Sequence, residues 1–152
     1  MQEAEPQTLV VGTGGTARNI AYRARKVSQD NKPGIVWLPG FMSDMASTKA
    51  TAVANWAAAR GLPSTRFDYS GHGQSGGAFT DGTIGRWLEE THAVFTRVTT
   101  GPQIIIGSSM GGHIALLLLR KMLREEPSEA HRVKAMVPVS YTHLRAHETV
   151  LD

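Results

Sequence analysis

The stretch Gln103-Ile104-Ile105-Ile106-Gly107-Ser108-Ser109-Met110-Gly111-Gly112 decides how the chain is read. Ile104 to Ile106 are β-branched and apolar without alternation, the pattern of a central strand covered on both faces. From Met110 to about Glu125 the apolar residues return at helical spacing, and Pro127 marks a break after them. Between strand and helix stands G-x-S-x-G, centred on Ser109. Such a pattern arises by chance in many chains, and a strand running in with a helix running out is the context that makes it informative. A side chain held at that tip occupies a strained backbone conformation, and glycines at 107, 111 and 112 clear space around it. Ser109 is therefore the candidate nucleophile, while the hydroxyl of Ser108 lies off the centre of the glycine spacing. The backbone N–H of Met110, at a helix N-terminus, is a candidate donor to developing negative charge. The competing reading makes Ser109 only a small residue in a tight turn that holds phosphate through backbone amides.

Upstream, strands and helices alternate, which predicts a parallel sheet with helices on its faces. Thr8 to Val11, the turn Gly12-Thr13-Gly14-Gly15 and Ile20 to Ala24 read as an N-terminal β-hairpin. Gly34 to Leu38 is a buried strand that ends at Pro39-Gly40. The loop that follows supplies the second candidate oxyanion donor, the N–H of Phe41. Lys49 to Arg60 is a helix closed by Gly61, and Thr65 to Tyr69 is a strand leading into Gly71-His72-Gly73-Gln74-Ser75-Gly76-Gly77. His72 in that loop reads as scaffold or pocket wall, and Asp68 as a tie for the loop. Ile84 to Val98 forms a helix whose apolar face is Ile84, Trp87, Leu88, Val94, Phe95 and Val98. Val133 to Val137 is a further strand. His92 and His113, inside helices, read as structural or surface residues.

Composition narrows the class. The chain has 152 residues, 41% hydrophobic and 19% charged, as expected of one folded domain. Its 16 Lys and Arg against 13 Asp and Glu are scattered, so no nucleic-acid footprint is expected. Absence of cysteine excludes disulfides and thiolate chemistry. Ile114 to Leu119 is the longest apolar run, far short of the ~20 residues a membrane-spanning helix needs. Residues 1–6 have neither the basic start nor the apolar stretch of a secretory signal, and their acidic side chains argue against a transit peptide. A cytoplasmic address is the resulting expectation.

On these residues the chain resembles the α/β-hydrolase superfamily. More narrowly, it resembles the small serine esterases related to the mitochondrial acyl-protein thioesterase that also cleaves acyl glucuronides. The matching stretches are Leu38-Pro39-Gly40-Phe41, Thr48-Lys49-Ala50, Arg66 to Gly71 and Gly101 to Gly112, within residues 34 to 137. The resemblance implies a doubly wound, mostly parallel, eight-stranded sheet with helices on both faces. It also implies a triad in chain order serine, acid, histidine, and cleavage of carboxylic esters or thioesters through an acyl-enzyme. Substrates would be small molecules or acylated partners, with no cofactor and no metal. Ser109 carries over as nucleophile, and Phe41 and Met110 as backbone oxyanion donors.

The acid and histidine do not carry over. In the family they follow later strands, and only residues 110–152 follow Ser109 here. Residues 1–137 are therefore read as the N-terminal part of one hydrolase domain, and residues 138–152 as a non-native tail on a truncated chain. His143, His147 and Asp152 come too soon after the preceding strand to be carried round to Ser109. Without a base the fragment is expected to be inactive or nearly so. Two other readings stay open: a non-catalytic binding domain or incomplete fold, and an acyltransferase or serine peptidase on the same fold.

Overall fold

In the computed structural model, which describes residues 3–27 and 31–139, the chain opens with β1 (Gln7–Val11) and β2 (Arg18–Arg25). These pair antiparallel across a short 3-10 turn, Gly14–Thr16, as the glycine cluster predicts. Next come β3 (Gly34–Leu38), α1 (Thr48–Ala59), β4 (Ser64–Phe67) and α2 (Ile84–Val98). The last elements are β5 (Gln103–Ser108), α3 (Met110–Glu125), α4 (Pro127–Ala130) and β6 (Val133–Val139). Pro127 does more than end α3: it occupies the first turn of α4, where its missing N–H costs nothing.

The six strands form one sheet in the order β1-β2-β4-β3-β5-β6. β4, β3, β5 and β6 are parallel, and the hairpin joins antiparallel through β2 and β4. The result is the mostly parallel α/β sheet that the alternation of elements predicts. β3 lies at its centre and is buried at every position. Leu38, Phe67, Tyr69, Ile105, Ile114 and Leu118 form the heart of the core with Val94 and Phe95 of α2.

Two departures from the predicted pattern have physical causes. Ile84 is exposed, whereas Glu90 and Thr91 are buried on the face of α2 turned to the sheet. Glu90 is three residues past Trp87 and four before Val94, so it sits on the apolar stripe itself. It is held there by Arg18 of β2, whose Nε donates to its carboxylate at 2.8 Å. β6 runs on to Val139, two residues past the expected end, because Pro138 and Val139 continue the ladder opposite Gly107 and Ser108. His143, His147 and Asp152 lie outside the described residues.

Candidate active site

β5 delivers Ser109 to the end of the sheet and α3 leaves from the next residue. Ser109 has φ 52° and ψ −113°, a conformation a non-glycine residue rarely holds. It stands at the N-cap of α3, where a serine ordinarily turns its hydroxyl back onto the helix amides. Here the side chain makes no such bond. The turn is fastened through the backbone instead, with Ser109 N–H donating to Val139 O at 3.0 Å and Gly112 N–H to Ser109 O at 2.9 Å. The flanking glycines are sterically obligatory. A Cβ on Gly107 would come within 2.5 Å of Gly112 N, and one on Gly111 within 2.1 Å of Leu38 O.

The loop after β3 lies against this tip. A Cβ on Gly40 would stand 3.1 Å from Ser108 O and 3.6 Å from Ser109 Cβ, so a side chain here would press the two segments apart by a few tenths of an ångström. Phe41 follows directly, and Met110 is the first residue of α3. The three residues singled out in the sequence, Ser109, Met110 and Phe41, thus belong to two segments that meet at one end of the sheet.

That loop is strapped down by the segment after β4. The buried Tyr69 hydroxyl donates to Pro39 O at 2.9 Å. Burial, reinforced by the Glu90 carboxylate, pushes the phenol well above its ordinary range, so it stays a neutral donor. Met42 N–H donates to His72 Nε2 at 3.2 Å, and His72 Nδ1 lies 3.0 Å from Ser70 O. Nδ1 therefore carries the proton and Nε2 the lone pair. Both ring nitrogens are engaged by the scaffold, as the loop reading anticipates. Asp68 receives Met45 N–H at 2.7 Å on one oxygen and Gln74 N–H at 2.8 Å on the other. It ties the glycine loop, as expected, and also reaches the β3–α1 loop, which its sequence position did not reveal. Burial raises its pKa above the usual aspartate value, while the two backbone N–H groups partly offset the rise.

Glu90 anchors the other side of this scaffold. Its carboxylate accepts Ser70 N–H at 2.7 Å and Ser70 Oγ–H at 2.6 Å besides Arg18. Its place on an otherwise apolar stripe was the one sequence signal for it.

Above the scaffold lies an apolar lip. Phe41 is 53% exposed and Met42 74%, and Phe41 packs on Phe79 at 5.5 Å between ring centres. A cavity of about 230 Å³ opens beside it, walled by Met42, His72 and Phe79. Among the described residues no group of His, Cys, Asp or Glu is arranged to hold a metal. No described helix is long and apolar enough to cross a membrane.

The fold is that of an α/β-hydrolase. The chain belongs to the Hydrolase_4 family, described as serine aminopeptidase, S33, whose model matches residues 29–141. It is 40% identical over 98 residues to mouse mitochondrial palmitoyl-protein thioesterase ABHD10, covering 64% of this chain and 32% of that protein. The human counterpart is 39% identical over the same length. A crystal structure described as a hydrolase from Agrobacterium vitis S4 superposes with a TM-score of 0.82 at 44% identity, covering 90% of this chain and 52% of that one. Mouse α/β-hydrolase domain-containing protein 10 gives 0.76 at 30%, covering 98% and 55%. The chain spans about a third of the length of the curated relatives it matches.

These relatives correct one expectation. The cytoplasmic address was read from the acidic residues near the start, but the matching curated proteins are named as mitochondrial, which points away from the cytoplasm.

Proposed function

We propose that the protein is a serine hydrolase of acyl thioesters or carboxylic esters, acting through an acyl-enzyme on Ser109 in mitochondria. One observation carries the reading: Ser109 is a strained N-cap serine whose hydroxyl does not cap its helix. A serine kept only for turn geometry would use that bond, and glycine would suit the positive φ better. In the proposed reaction Ser109 Oγ bonds to the acyl carbon while its proton passes to a base. The oxyanion is held by the N–H groups of Met110 and Phe41. The carbon–sulfur or carbon–oxygen bond then breaks, the leaving group takes the proton, and water repeats the sequence to release the acid. Losing one such donor typically costs about 3–4 kcal/mol of transition-state stabilisation.

The base and the acid are proposed to lie outside the described residues. His72, the histidine of the adjoining loop, has both nitrogens committed to Met42 and Ser70. Residues 1–137 are proposed as the N-terminal part of one hydrolase domain; Pro138 and Val139, expected to open the tail, instead continue β6, so the tail foreign to the domain is proposed to begin after them. Turnover by the 152-residue chain alone is then expected at trace level. The exposed lip of Phe41, Met42 and Phe79 suits an acyl chain, and the names of the relatives at 36–40% identity favour palmitoyl-type thioesters.

The family description supports a second reading, an aminopeptidase. The two separate on substrate. The complete gene product is expected to release thiol from a long-chain acyl thioester and to leave aminoacyl anilides intact. Cleavage of the anilides with the thioester untouched would overturn the proposal in favour of the peptidase.

A further inference from the structure

Away from the elbow, a cavity of about 250 Å³ lies between α1, the end of β2, the start of β4 and the N-terminal segment. Arg23, Arg25 and Arg66 line it, with Glu3 as the one carboxylate among the lining residues. The sheet forces these cations together. Arg23 is directly opposite Arg66 across the antiparallel β2–β4 ladder, and Arg25 is two residues along on the same face, opposite Ser64. Like charges directly opposite in a ladder repel, and here Arg23 and Arg25 are steadied by donating to Ala4 O and Leu62 O while an anion between them would relieve the repulsion. Glu3 supplies part of that charge, pairing with Arg66 and standing 3.9 Å from Arg23. The guanidinium of Arg66 holds the Glu3 carboxyl below the usual carboxylate range. Arg66 is itself only 5% exposed and is fixed by donating to Met45 O. Three cations against one carboxylate leave an excess of two positive charges in a cavity large enough for several waters at ~30 Å³ each.

We propose that this cavity is a binding site for the phosphate group of a small soluble molecule, with Glu3 as its internal stand-in. A phosphate dianion matches the excess charge, guanidinium forks match its oxygens, and the Ser64 hydroxyl on the wall adds a neutral donor. The site is independent of the chemistry at Ser109, so it stands or falls separately from the proposed function.

The test is thermal unfolding of the full chain with inorganic phosphate, glycerol phosphate, sodium chloride at matched ionic strength, and phosphatidic acid vesicles. Both soluble phosphates should raise Tm saturably, as a ligand of the folded state does. Glu3→Gln should tighten phosphate, since it removes the internal competitor. The double variant Arg23→Gln/Arg25→Gln should weaken it by about tenfold or more, the scale of lost charged hydrogen bonds. Arg66 is left intact because it braces Met45. Should the double variant fail to fold, a backbone-amide NMR titration of the unsubstituted chain reads the same site, with shifts expected at Asn55 and Ser64. A rise no larger than with chloride, a rise unchanged in the double variant, a response to vesicles alone, or NMR shifts elsewhere would overturn the proposal.

Discussion

Ser109 shows what a single residue gives up to hold its place. Its positive φ costs on the order of 1–3 kcal/mol, so Ser109→Gly is expected to stabilise the fold by about 1 kcal/mol in urea denaturation. Gly111→Ala should do the reverse and cost several kcal/mol, because its Cβ would overlap Leu38 O at 2.1 Å. A Ser109→Gly variant less stable than the parent would show that the strain account is wrong. The spacing of glycines about Ser109 was legible in the sequence because it obeys local sterics. The bonds of Asp68 were not, since Met45 lies 23 residues away and is brought near only by the sheet. Asp68 also sets a pH dependence. Its folded value is raised above 3.8, so the folded state binds more protons than the unfolded one, and stability is lost as pH rises from that value through the raised one. Relative to Asp68→Asn, the parent should therefore lose stability over that rise. A difference that is flat, or that grows in favour of the parent, would contradict the assignment.

Among elements, the segment after β4 braces the loop after β3, and α2 braces that segment in turn. Tyr69→Phe keeps the buried ring and removes only the bond to Pro39 O. It should cost about 1 kcal/mol in stability and, in the complete gene product, lower kcat more than it raises KM. Glu90→Ala takes from buried Arg18 its buried partner, leaving it the half-exposed Glu89, and takes from Ser70 its acceptor; it should cost about 3 kcal/mol, measured as a fall in Tm. Most strand and helix positions were legible from periodicity to within two residues, α2 over Ile84–Val98 among them, whereas α4 was legible only as a break at Pro127. The buried Glu90 was not anticipated, because a charge on an apolar stripe is stabilised by a partner 72 residues away in sequence. Periodicity carries no information on such a pair.

At the scale of the whole molecule, the alternation of strands and helices made the mostly parallel α/β class legible before any coordinates, whereas the strand order β1-β2-β4-β3-β5-β6 came only with the structure. Nor was the compartment legible. A targeting address resides in a short segment with its own composition and leaves no mark on a folded core. Leu116 and Val137 are exposed beside an apolar cleft of about 170 Å³ between α3 and β6. The central claim remains the identity of the nucleophile. Its most direct test is fluorophosphonate labelling of the complete gene product, followed by mass spectrometry of the modified peptide. One adduct on Ser109, absent from Ser109→Ala, is the expected result; no adduct, or an adduct that survives the substitution, would contradict it.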